Sequence, residues 1–81
     1  MNIRVERGSP HAAVVDAAID AYVCWREECT AARDAYRRWS SAEKADRRLA
    51  SSAYTAALDR EELAARAYAQ AIERLGDERI Y

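Results

Sequence analysis

Phenylalanine is absent from this sequence, and valine, isoleucine and leucine together supply only 12 of its 81 residues. So few bulky apolar side chains mark a disordered chain when net charge is high. Here 13 basic residues meet 14 acidic ones, and the formal net charge is −1. Glycine occurs twice and proline once, too little turn material for a sheet-rich or multidomain protein of this length. No apolar run approaches the roughly 18 residues that a membrane span requires. The lone histidine, His11, and the two cysteines, Cys24 and Cys29, do not supply the about four ligands of a zinc site. Also missing are a glycine-rich phosphate loop, Gly-x-Ser-x-Gly and His-Glu-x-x-His. The adjacent carboxylates Glu27-Glu28 and Glu61-Glu62 diverge by about 100° on a helix and share no site. No metal, cofactor or catalytic residue is expected, and the chain does not read as an enzyme. One route to chemistry stays open, an anion pocket formed across a dimer and lined by Arg26, Arg33 and Arg60.

The cysteines also speak to compartment. Five residues apart on a helix, Cys24 and Cys29 project about 140° from each other and do not bridge within the chain. The first ten residues carry Arg4, Glu6 and Arg7 with no apolar core, unlike a secretory signal. A reduced, cytoplasmic location is expected.

What is abundant is alanine, with 19 residues. Ala, Glu, Lys, Leu and Arg together make 44 of the 81 residues, the composition of long helices or a coiled coil. Ser9-Pro10 forms a start signal, a preferred N-cap followed by proline at the first helical position. From His11 to Leu75 neither glycine nor proline interrupts. Gly76, preceded by Arg74, then suits a helix C-terminus. Residues 1–9 and 76–81 are expected to be tails.

A single helix over this span would reach roughly 98 Å. A break is better supported at Trp39-Ser40-Ser41-Ala42-Glu43, where Ser40 and Glu43 have the spacing of a capping box and Arg37 and Arg38 suit the preceding C-terminus. The expected fold is therefore all-α: two long antiparallel helices, a coiled-coil-like hairpin. Helix 1 spans about 10–39, the turn 40–41 and helix 2 about 42–75. An unbroken helix and a second break at Ser51-Ser52 remain alternatives.

The periodicity supplies a candidate seam. In helix 1, Val15, Tyr22, Cys29 and Tyr36 recur every seven residues, with Ala18, Trp25, Ala32 and Trp39 three residues after each. In helix 2, Leu58, Ala65 and Ile72 share one position, and Tyr54, Tyr68 and Leu75 the next, with Glu61 intruding. The dipeptide Ala-Tyr recurs 14 residues apart in each half, at 21–22 and 35–36 and again at 53–54 and 67–68. A second apolar stripe on helix 2, carrying Leu49 and Leu63 with Ala56 and Ala67, lies 90° or more from the first. One partner helix covers about 100° of surface, so two stripes predict a further partner. A self-associating hairpin, a dimeric four-helix bundle, is expected, or else docking on a second helical protein.

Charge is uneven along the chain. Residues 33–48 hold six basic side chains against three acidic ones, whereas 1–32 and 49–81 each sum to −2. The turn end of a hairpin is thus basic and the open end acidic, and an antiparallel dimer would set one against the other. Arg37, Arg38, Lys44, Arg47 and Arg48 are candidate anion contacts, with Trp39 as a stacking group for nucleic acid. The plainer reading is a solvated face stitched by the pairs Asp34–Arg38, Glu43–Arg47 and Glu62–Arg66. A phosphate-binding domain would carry a larger basic excess, so nucleic acid is not the expected partner.

A helical hairpin with tryptophan at its turn resembles the small Trp-x-Gly substrates of type VII secretion. Trp39-Ser40-Ser41 carries the resemblance, with Ser41 in place of the glycine. The family's Tyr-x-x-x-Asp/Glu export signal is not matched, since Ile72 stands four residues after Tyr68 and Glu73 one step later. The likeness covers three residues and implies an alternative role as a secreted hairpin. Arginine outnumbers lysine twelve to one, the coding bias of a GC-rich bacterial genome. The leading expectation is a small interaction or scaffold module.

Overall fold

The computed structural model describes residues 10–79, with side chains as far as Asp77. The expected tail at residues 1–9, with its Ser9 cap, and the last two residues lie outside the described residues. Two helices, α1 (Pro10–Ser40) and α2 (Arg47–Arg79), run antiparallel and are joined by a short turn containing one 3-10 turn at Lys44–Asp46. Among the described residues there is no strand. The hairpin forms one layer, with principal extents of 62 × 26 × 12 Å.

The chain does reverse after Trp39, but by different chemistry from a capping box. The Arg37 carbonyl accepts the Ser41 N–H at 3.1 Å, the Ser40 hydroxyl at 3.1 Å and the Ser41 hydroxyl at 2.9 Å. Both serine hydroxyls therefore reach back to the last turn of α1, adding to the helical bond that the Arg37 carbonyl already accepts from the Ser41 N–H. Glu43 is extended and its side chain caps nothing; its carbonyl accepts the Asp46 N–H at 2.8 Å. This 3-10 turn spaces the helices, so α2 starts at Arg47 and not near residue 42. Ser51 and Ser52 lie inside α2, which has no break there. At the far end α2 continues through Gly76 to Arg79, and no described glycine has a positive φ. Gly76 is thus an ordinary helical residue where a left-handed cap is expected from sequence.

Small residues make the seam. The buried hydrophobic side chains among the described residues are Ala18, Ala32, Ala35, Ala57 and Ala71, with Ala57 at 1% and Ala35 at 3% exposure. Ala32, Ala35 and Ala57 form one cluster, with Tyr54 packed against it. The seam expected on helix 2 is thereby corrected. Leu58 and Ile72, each 42% exposed, flank the contact, and the alanine one residue before each faces α1. The rotation is about 100°, one residue on a helix. Alanine at the contact lets two helices approach closely, because interaxial distance follows the side chains between them.

Candidate functional site

With alanines between the helices, the large rings are displaced to one broad side. There they form two trios of matched geometry. At the open end Tyr22 and Tyr68 lie 5.5 Å apart between centroids, and Trp25 stacks on Tyr68 at 5.5 Å and 11°. At the turn end Tyr36 and Tyr54 lie 5.5 Å apart, and Trp39 stacks on Tyr54 at 5.7 Å and 14°. The Tyr–Trp pair within α1 is edge-to-face in both, at 6.1 and 5.9 Å. These offset-stacked and T-shaped arrangements suit the ring quadrupoles. The repeated Ala-Tyr dipeptide is the sequence trace of this duplication, since 14 residues return each tyrosine to the same face.

Between the trios sits Glu61. Its Oε2 accepts the Trp25 indole N–H at 2.9 Å and the Cys29 thiol at 3.8 Å. A carboxylate inside an aromatic seam is tolerable only with such donors. Arg26 lies over the Trp25 ring with its guanidinium carbon 5.9 Å from the centroid, within cation–π range. No described buried side-chain polar atom lacks a partner.

The aromatic side is grooved. Ala18, Ile19, Tyr22, Tyr68 and Ile72 line one groove, and Ala32, Arg33, Tyr36, Tyr54 and Leu58 a second. Arg47 closes a smaller hollow beside Tyr36, Trp39 and Ser40. Tyr22, Tyr36, Leu58 and Ile72 stay exposed here, whereas Trp25, Trp39, Tyr54, Tyr68 and Cys29 are half-buried. Val15 and Leu75 are half-buried toward the open end.

Leu49 and Leu63 point the other way. Each is nine residues from Leu58 or Ile72, about 180° around α2, and they are 76% and 65% exposed. Leu49 lines a groove with Ala35, Arg38, Ala42, Asp46, Ala50 and Ala53. This second side is therefore alanine-rich. An interhelix pair that the spacing within either helix does not reveal, Arg60 Nε to Glu28 Oε1 at 3.3 Å, ties the two helices together.

The basic residues near the turn do not converge on one point. Arg37 bonds Asp34 at 3.0 Å, so Asp34 pairs three residues on and not with Arg38. Arg38 and Arg47 line different grooves, while Lys44 and Arg48 are exposed. Glu62–Arg66 is formed at 2.6 Å; Glu43 and Arg47 make no ion pair. Arg26, Arg33 and Arg60 are likewise spread, over Trp25, beside Tyr36 and across to Glu28.

Cys24 is exposed and Cys29 half-buried, both as free thiols. Among the described residues no group of three or more His, Cys, Asp or Glu side chains could hold a metal ion, and no helix is long and apolar enough to cross a membrane. The surface that stands out is thus a ridged aromatic face backed by an alanine-rich one. No protein-family model matches the chain, and no curated protein or solved structure matches it either.

Proposed function

We propose that this chain is a non-enzymatic interaction module that self-associates, two hairpins closing into a dimeric four-helix bundle that acts as a scaffold. One observation carries the reading. Among the described residues the buried core is alanine alone, while eight large hydrophobic side chains stand exposed. A layered fold is stable when each apolar face meets another layer, and a hairpin 12 Å thick has one layer.

The proposed place of work is the cytoplasm, where the free thiols Cys24 and Cys29 would stay reduced.

Sedimentation equilibrium of the full chain at micromolar concentration tests the proposal. The expected mass is twice 9.2 kDa. A single-chain mass that still unfolds cooperatively would reject self-association.

A further inference from the structure

The hairpin is repetitive about its own middle. Cys29 stands midway between Tyr22 and Tyr36, and Glu61 midway between Tyr54 and Tyr68; the two midpoints meet at 3.8 Å. The matched ring trios lie 14 residues apart along each helix, about 21 Å, centred on that contact. We infer that the aromatic face is the dimer interface and that a second copy of this chain lies on it antiparallel. Each copy's open-end trio then covers the other's turn-end trio. This inference rests on the self-association proposed above and adds the face and the orientation.

Area assigns the face. Of the eight exposed large hydrophobics, five, Ile19, Tyr22, Tyr36, Leu58 and Ile72, line the grooves of the aromatic side, whereas Leu49 and Leu63 belong to the opposite one and Val23 lines neither aromatic groove. Symmetry assigns the occupant. A two-fold interface is self-complementary, so what stands on one side of the axis must fit what stands on the other. A surface carrying the same trio at equal distances from its midpoint presents a like shape wherever an antiparallel copy of itself falls. At the axis, the Glu61 carboxylate is already engaged by the indole and thiol of its own chain.

Charge assigns the orientation. Arg33, Arg37, Arg47 and Arg48 are exposed toward the turn, and Asp16, Asp20, Glu73 and Asp77 toward the open end. A parallel pair would set two basic turns side by side. An antiparallel pair sets each turn against an acidic end, which favours association and fixes register.

Two measurements on the intact chain test this. In sedimentation, Leu58→Lys and Ile19→Lys each place a charge on the aromatic face at an exposed position, and dimerisation should weaken by about 100-fold. Leu63→Lys adds the same charge to the opposite face and should leave the dimer intact. A dimer lost in Leu63→Lys but kept in the other two overturns the aromatic interface while self-association stands. A single-chain mass for the unsubstituted protein overturns both.

For orientation, Ser41→Cys is spin-labelled with Cys24→Ser and Cys29→Ser in place. Position 41 lies twelve residues from the Cys29 level, so antiparallel copies should hold the labels about 36 Å apart along the axis. Labels within about 15 Å, adjoining turns, would overturn the antiparallel arrangement.

Discussion

The Trp25 indole is held from several directions: stacked on Tyr68, edge-on to Tyr22, beneath Arg26 and hydrogen-bonded to Glu61. Replacing it with alanine removes the ring and leaves a carboxylate short of its donor. Trp25→Ala is expected to lower unfolding free energy by about 3 kcal/mol, the low end for a large aromatic because the ring is half-buried; urea denaturation measures it. Glu61 gives a sharper test. Glu61→Gln keeps an amide oxygen to accept the indole N–H, and stability should change by less than about 0.5 kcal/mol. Glu61→Ala leaves that donor unpaired and should cost about 1–2 kcal/mol. Equal effects of the two substitutions would mean that the bond contributes nothing. Residue spacing marks Glu61 as the misfit in an apolar row, which is legible. That its partners are an indole and a thiol 36 and 32 positions away is not, because only the antiparallel register brings them together.

At the level of the helices, the alanine seam decides how α1 and α2 meet. Ala57 is 1% exposed against α1, so an added isopropyl group has no room. Ala57→Leu should destabilise by about 2 kcal/mol through overpacking, whereas Leu58→Ala, at a 42% exposed position, should cost less per chain in dilute solution. The reverse order, read by thermal or urea unfolding, would restore the Leu58/Ile72 row as the seam. Gly76 separates two accounts of the α2 terminus. A Cβ placed there meets nothing within 4 Å, and the backbone is helical, so Gly76→Ala should stabilise by about 0.5 kcal/mol. If the residue were a left-handed cap, the same substitution would destabilise.

For the whole molecule, folding and association are expected to be coupled. Among the described residues the buried core is alanine alone, so the proposed dimer predicts a hairpin that depends on what covers its apolar sides. Anything that binds the folded state alone raises apparent stability by mass action. The thermal midpoint should therefore rise with protein concentration across a hundredfold range. A midpoint independent of concentration would indicate a hairpin stable by itself. Opposed charged ends also predict a weaker dimer at high ionic strength, since exposed charges are screened within about 10 Å at 0.1 M salt.

Composition and period alone determined that this chain is helical and that its tyrosines and tryptophans share faces, while the reversal near Trp39 was one of several alternatives until the helices packed. Those first two properties depend on local propensity and on the 3.6-residue repeat, which any stretch of sequence carries within itself. The rotation of α2 about its own axis was decided only in three dimensions. Both the Leu58/Ile72 row and the alanine row one residue earlier have the seven-residue spacing of a seam, and neither outranks the other when a helix is considered singly. Packing breaks the tie. The rings of α1 need the space on one side, so the small side chains close the gap between the helices. The Ser40 and Glu43 spacing was likewise a valid cap in isolation, but the Arg37 carbonyl at the end of α1 claimed both serine hydroxyls first.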